Sequence, residues 1–111
     1  HAKHPCTIWT MESYANYVWH WDLFKYLSWE FEYRFGKVHA SWDKLSNVLA
    51  NLPRNIRIGS LTPFAKAMKA YPDLMEIADP VKAYQEFYKV DKIKFAKWEK
   101  GRPAPNWWND K

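Results

Sequence analysis

The residue types with the clearest chemistry lie near the C-terminus, where cations and indole rings are close together in the sequence. Ammonium and guanidinium groups neutralise phosphates and release counterions. Indole rings beside a cationic groove stack on exposed bases for about 1–3 kcal/mol each. The spacing therefore predicts a nucleic-acid-binding surface, formed by Lys89, Lys92, Lys97, Lys100, Arg102, Trp107 and Trp108. Lys94 adds a further charge, and Asp91 and Glu99 are the only carboxylates between Lys89 and Arg102.

The same C-terminal residues have a second interpretation that requires no ligand. The lysines can form the solvated side of a helix, and the two tryptophans can fold back onto a hydrophobic core. The net charge of +5 and the pI near 9.3 favour an acidic partner, but a charge of this size is compatible with many functions. The sequence alone leaves both interpretations open.

A second group of polar residues has helical spacing near the N-terminus. Glu12, Asn16 and His20 are four residues apart, which places them on one face of a continuous helix. A carboxylate, an amide and an imidazole in one pocket can perform acid and base chemistry or bind the edge of a nucleobase. The alternative is a solvated polar stripe.

Glu30 and Arg34 are also four residues apart, with Tyr33 and His39 nearby. This spacing predicts a surface ion pair worth a few tenths of a kcal/mol. A phosphate-binding Arg34 is the alternative. One hypothesis places catalysis in a pocket formed by Glu12, Asn16 and Arg34.

No metal site or cofactor is predicted. His1, His4 and Cys6 are close in the sequence, but no CxxC or HxxxH spacing completes a ligand set. An N-terminal amine beside His1 would chelate copper only if His1 were the mature terminus. Cys6 has no histidine that the sequence pairs with it as a nucleophile. Neither a P-loop nor a GxGxxG motif is present.

Composition limits the protein class. The single cysteine, Cys6, excludes an intramolecular disulfide and makes a reducing cytoplasm the expected compartment. The aromatic region between Ile8 and Phe35 is interrupted by charged residues, and no stretch of about 18 apolar residues is available to cross a membrane. We therefore expect a cytoplasmic protein without a membrane partner, with residues 1–111 forming one domain.

Helices are expected to position these residues. The spacing predicts a long helix capped by Thr7 or Thr10 and stopped by Gly36, with a break near residues 20–22. Further helices are predicted over 38–52, 64–70 and 80–100, with an unstructured segment over 54–63. In the last helix, Val81, Tyr84, Phe87 and Trp98 fall on one side and the lysines on the other. The expected fold is all-α: a compact bundle of three to four helices with an irregular Pro/Trp-rich C-terminal tail.

Several strings together resemble a known family. They are HPCTIW at 4–9, ES and NY at 12–17, EYRFGKVH at 32–39, LTPFAKAM at 61–68, PVKAY at 80–84, FAKW at 95–98 and PNWW at 105–108. On these strings, which cover most of the chain, the sequence resembles small phage-encoded pyrimidine dimer DNA glycosylases, which are similar to phage endonuclease V.

The resemblance implies an all-helical enzyme that recognises ultraviolet-damaged DNA and flips a base. In that family the N-terminal amine attacks the sugar C1′ to give a Schiff base, a glutamate stabilises the intermediate, and an aromatic, basic tail contacts DNA. The tail matches here at Lys100, Arg102, Trp107 and Trp108. Relatives carry a further segment with an Asp-Lys-His motif ahead of the His-Pro-Cys string. Because this sequence lacks it, His1 is not assigned as the nucleophile, Glu12 does not match the family's glutamate, and we expect a catalytically incomplete fragment.

The sequence therefore predicts a phage-type DNA-binding protein, related to pyrimidine dimer glycosylases, that acts on damaged or modified DNA in the host cytoplasm. Whether it is also an enzyme stays open; if it is, the expected activity is that of a glycosylase with AP lyase activity. The alternative is a non-enzymatic phage protein that binds a host or phage protein through exposed aromatic residues.

Overall fold

The regular structure of the protein is entirely helical across the residues that a computed structural model describes, 3–98 and 100–109. This confirms the predicted all-α class. The helices are α1 (Pro5–Met11), α2 (Tyr14–Phe35), α3 (Ala40–Leu49), α4 (Pro72–Met75), α5 (Pro80–Val90) and a 3-10 helix (Asn106–Asn109). The chain divides into two compact units. The first ends at Thr62 and contains α1, α2 and α3; the second begins at Pro63 and contains α4, α5 and the 3-10 helix.

Two helices replace the long first helix that the sequence predicted. The first starts at Pro5, where His4 Nδ1 accepts a hydrogen bond from the Cys6 amide at 3.0 Å. The break lies at Glu12 and Ser13, so the prediction of a break near residues 20–22 was wrong. Ser13 has an extended backbone, and its hydroxyl accepts the Asn16 amide proton at 3.2 Å. This N-cap satisfies a donor that a new helix would otherwise leave unpaired.

The second helix ends where the sequence predicted. Gly36 adopts a left-handed conformation with φ 70°, and its amide donates to the Glu32 carbonyl at 2.8 Å. Residues with a Cβ adopt this conformation at a cost of about 1–2 kcal/mol, which explains glycine at this position. After Gly36 the chain begins α3, in which Trp42 packs on Trp21 and Phe24 with ring centroids 5.5 and 5.2 Å apart. The helix is shorter than the predicted 38–52.

The segment 64–70, predicted to be helical, contains no helix. The Tyr84 hydroxyl donates to the Ala65 carbonyl at 2.6 Å and accepts from the Ala67 amide at 3.0 Å, so a side chain of α5 takes up backbone groups that a helix would pair internally. A short helix, α4, begins instead at Pro72, in the first-turn position that proline tolerates. At the C-terminal end of α4, Lys66 Nζ donates hydrogen bonds to the carbonyls of Met75 and Ile77, both at 2.7 Å.

The last α-helix is half as long as predicted. Its start is confirmed: Asp79 caps α5 by accepting the Val81 amide proton at 3.0 Å. It ends at Val90, however, and not at residue 100. Asp91 follows, a poor helix former whose carboxylate accepts a hydrogen bond from the Tyr71 hydroxyl at 2.6 Å. That long-range bond favours a turn over a continued helix.

Candidate functional site

A buried polar junction joins α1 and α2 to the segment that ends the first unit. Asn16 is fully buried. Its amide nitrogen donates to the Trp9 carbonyl at 2.7 Å and to the Thr62 hydroxyl at 2.8 Å, and its Oδ1 accepts the Thr62 amide proton at 2.9 Å. Trp9, itself 5% exposed, donates its indole N–H to the Thr62 carbonyl at 3.2 Å. Every polar atom of the Asn16 side chain is therefore engaged in holding the chain together.

The bonds around Asn16 continue along the same segment. Ser13 Oγ donates to the Ser60 carbonyl at 3.0 Å, and the Tyr14 amide donates to the Arg57 carbonyl at 2.8 Å. Residues 57–62 form no helix or strand, so these contacts supply hydrogen-bond partners for their backbone. The start of α2 therefore positions the chain up to Thr62.

The structure does not bring the three proposed catalytic residues together. Glu12 is the C-cap of α1 and lies outside α2, so the predicted stripe of Glu12, Asn16 and His20 on one helix is wrong. Asn16 and Arg34 do share α2, but 18 residues of continuous helix separate them by about 27 Å. A single pocket of Glu12, Asn16 and Arg34 is therefore excluded.

Arg34 makes the ion pair that its spacing predicted. Its Nε lies 2.7 Å from Glu30 Oε2, and both side chains are partly exposed. A pair of this kind contributes about 0–1 kcal/mol to stability. The guanidinium is thus engaged with a carboxylate on its own helix.

The predicted basic ridge is not a helix face. Lys89 is in α5, whereas Lys92, Lys97, Lys100 and Arg102 follow the end of that helix, so the prediction that all four lysines lie on one side of one helix was wrong. We call the cations after α5 the cationic segment: Lys92, Lys94, Lys97, Lys100 and Arg102. All except Lys92 are exposed. Turns at its start are closed by the amides of Phe95 and Ala96, which donate to the Lys92 carbonyl at 3.0 and 2.9 Å.

Two of the predicted phosphate-binding lysines make ion pairs within the protein. Lys89 Nζ lies 3.4 Å from Glu86 Oε1, and Lys92 Nζ lies 3.3 Å from Asp91 Oδ2. Lys92 also lies over the Phe87 ring, 5.2 Å from its centroid. Lys89 and Lys92 are also less exposed than Lys94, Lys97, Lys100 and Arg102, so the exposed members of the cationic segment are the better candidates for a phosphate.

An aromatic cluster lies within the same unit. Trp107 and Trp108 are half-buried within the 3-10 helix, with ring centroids 6.0 Å apart. Trp108 contacts Trp98 at 4.8 Å, and Trp107 contacts Tyr88 of α5 at 6.4 Å. The indoles are therefore neither sealed in a core nor free in solvent. Trp98, which was predicted to lie on a helix face, also belongs to this cluster. The prolines at 103 and 105 were the sequence signal that the chain does not continue there as a helix.

Asp91 and Tyr71 form a hydrogen-bonded pair of titratable groups in the second unit. The hydrogen bond from the Tyr71 hydroxyl is the largest effect and lowers the pKa of Asp91; desolvation opposes it, and the nearby Lys92 and Lys94 lower the pKa further. The same hydrogen bond raises the pKa of Tyr71. Asp91 is therefore ionised at neutral pH and stays beside the cationic segment as its partner.

Replacing Tyr71 with phenylalanine should raise the pKa of Asp91, because the hydrogen bond is the largest cause of its depression. A carboxyl whose folded-state pKa is depressed stabilises the fold above about pH 4, and that stabilisation is lost as the pH falls through the folded-state pKa. The stability difference between wild type and Tyr71→Phe should therefore shrink in acid. NMR titration of the Asp91 carboxyl measures the pKa, with Tyr26→Phe in the first unit as the control. An unchanged Asp91 pKa in Tyr71→Phe would contradict this assignment.

Neither a metal-ligand cluster nor a membrane-spanning helix is found in the part of the chain described. No three histidine, cysteine or acidic side chains within 3–98 and 100–109 are arranged to ligate a metal ion. His1, named above as a copper ligand, lies outside the described residues. Over the same ranges, we find no helix with the length and hydropathy that a bilayer crossing requires.

Comparison of the chain with protein-family models, with curated proteins and with solved structures finds no match. The resemblance to pyrimidine dimer glycosylases therefore stays a prediction that depends on the quoted strings.

Proposed function

We propose that this protein binds damaged or modified duplex DNA through the cationic segment and the aromatic cluster of its second unit. One observation carries the proposal: four exposed cations follow α5 in the same unit as three tryptophans whose rings contact one another. Exposed cations attract the phosphate backbone whatever the sequence. Partly exposed indoles add a surface on which an unstacked base can rest.

Damaged DNA is the favoured substrate for an energetic reason. Taking a base out of the stack costs a few kcal/mol, and the cost is lowest where damage or a mismatch has already weakened the stack. One indole stacking on such a base returns about 1–3 kcal/mol. Stacking on an indole therefore offsets the cost of unstacking a base only where the base step is already weakened. A duplex with a lesion should then bind more tightly than an intact one.

A salt titration tests the proposal. If Lys94, Lys97, Lys100 and Arg102 each neutralise one phosphate, the logarithm of the binding constant should fall with the logarithm of the salt concentration with a slope of about −3.6. Fluorescence anisotropy with a labelled duplex, intact or carrying a lesion, measures this slope. We expect submicromolar binding at low salt. A slope near zero, or no binding at low salt, would remove the proposal.

The resemblance extends the proposal to a chemical step. In a glycosylase with AP lyase activity, an N-terminal amine attacks C1′ of the deoxyribose, the base leaves, and a Schiff base links protein and sugar. No described residue is assigned to that step. Borohydride reduces a Schiff base to a stable secondary amine, so mixing protein, abasic duplex and borohydride should yield a covalent adduct if the chain is catalytically complete. Without an adduct, the proposed function is binding alone.

A second candidate function is binding of a host or phage protein through exposed aromatic residues. It is favoured by α2, on which Tyr26, Leu27, Trp29 and Phe35 are each more than half exposed. Large exposed apolar patches mark interaction surfaces in many proteins. An aromatic interface responds little to salt, so the same titration separates the two functions.

A further inference from the structure

A cleft in the first unit shares no residue with the proposed DNA-binding surface, and of the polar stripe predicted at Glu12, Asn16 and His20 only His20 lines it. It lies among α1, α2 and α3 and has a volume of about 390 Å³. Its walls are mainly apolar and include Met11, Trp21, Phe24 and Leu45. The ring of Trp21 is held in place by stacking on Trp42, at 5.5 Å with 18° between the ring planes. The cleft is therefore a formed, aromatic-walled space within the range of small-molecule sites.

The size and charge of the cleft define what it can hold. A cavity of about 150 Å³ with apolar walls accommodates one benzene ring, so a space about two and a half times larger accommodates two or three fused rings. Among the residues that the structure describes, no lysine, arginine, aspartate or glutamate lines it. An ion placed there would lose hydration without gaining a partner, which favours an uncharged occupant.

The polar edge of the cleft adds one directional requirement. Thr10 has a single hydroxyl proton, which it donates to the Cys6 carbonyl at 2.7 Å. His20 Nδ1 lies 2.6 Å from the same Thr10 oxygen; with the Thr10 proton on the Cys6 carbonyl, the proton of this second bond comes from Nδ1. Partial desolvation lowers the pKa of His20, so the neutral form of the ring predominates at pH 7. Its Nε2 is then a hydrogen-bond acceptor on a residue that lines the cleft.

We propose that this cleft binds an uncharged, planar aromatic small molecule of two or three fused rings that carries one N–H or O–H donor. The donor pairs with His20 Nε2, and the rings pack against Trp21 and Phe24. The cleft shares no residue with the cationic segment, so this site stands or falls independently of DNA binding.

Three naphthalene compounds test the ligand class by calorimetry at pH 7.5. 2-Naphthol should bind. Its methyl ether, 2-methoxynaphthalene, should bind about fivefold more weakly because it lacks the donor. The anion naphthalene-2-sulfonate should bind more than tenfold more weakly. The change His20→Phe should remove the preference for 2-naphthol over the ether. Absence of 2-naphthol binding, or preference for the sulfonate, would overturn the proposal.

A matched pair of variants locates the site. Leu45 lines the cleft and is 44% exposed, whereas Leu27 lies on α2 outside it and is 60% exposed, so a lysine at either position keeps access to water. Leu45→Lys should weaken 2-naphthol binding more than tenfold, and Leu27→Lys should leave it unchanged. Circular dichroism checks that both variants fold. Unaltered binding by folded Leu45→Lys, or an equal loss in Leu27→Lys, would overturn the assignment. If Leu45→Lys does not fold, the His20→Phe comparison decides.

Discussion

Replacing Asn16 with alanine should lower the free energy of unfolding by about 3 kcal/mol. The substitution removes three hydrogen bonds around a fully buried side chain: it leaves the Thr62 amide without its acceptor, and the Trp9 carbonyl keeps only the Glu12 amide, at 3.1 Å. Each unsatisfied buried group costs about 1–3 kcal/mol. Urea denaturation followed by circular dichroism and tryptophan fluorescence measures the change.

The control is the same substitution at Asn51. That residue is exposed, and its amide donates one bond to the Asn47 carbonyl at 3.0 Å, so Asn51→Ala should change stability by well under 1 kcal/mol. A loss below about 1 kcal/mol for Asn16→Ala would mean that the segment ending at Thr62 is held by something else. The outcome also bears on the catalytic hypothesis, since a side chain with every polar atom engaged in the fold has none left for a substrate.

Reversing three charges of the cationic segment should reduce DNA binding by several hundredfold at 0.1 M salt. Each phosphate contact contributes about 0.9 to the slope of the logarithm of affinity against the logarithm of salt, so three contacts account for a factor of about 500 between 0.1 and 1 M salt. The triple variant Lys97→Glu, Lys100→Glu and Arg102→Glu should lose that factor. Its salt slope should flatten by about three.

A lower net charge by itself would also weaken binding to a polyanion, so the control variant lowers the net charge by the same amount. Lys37→Glu, Lys44→Glu and Arg54→Glu alter three exposed cations of the first unit. This variant should retain most of the affinity and the full slope. Equal losses in the two triple variants would show that binding follows overall charge, and unchanged binding in the first would remove the cationic segment from the interface.

The two predictions concern different units of the protein. Asn16 acts within the first unit, whereas the cationic segment and the indoles belong to the second. Asn16→Ala, if it stays folded, should therefore leave the salt slope of DNA binding unchanged. A flattened slope in that variant would indicate that the first unit contributes phosphate contacts.

The sequence by itself determined the features that depend on neighbouring residues. Gly36 ends α2 because a left-handed residue is needed there, and Asp79 with Pro80 begins α5 because a short acceptor and a fixed φ suit a helix start. The ion pair of Glu30 and Arg34 follows from their spacing alone. Each of these interactions spans four residues or fewer, so local chemistry is sufficient to predict it.

Only the tertiary structure decided the features that depend on distant partners. Asn16 was predicted to face a pocket, but Thr62, 46 residues away, occupies its amide and makes it part of the core. The helix predicted to reach residue 100 ends at Val90, and Asp91, next in sequence, bonds to Tyr71, 20 residues earlier. Helical periodicity continues through both regions and contains no information about such partners. A long-range hydrogen bond in a partly desolvated site outweighs a local propensity of a few tenths of a kcal/mol, and this difference in energy is the physical reason that the fold departs from the prediction there.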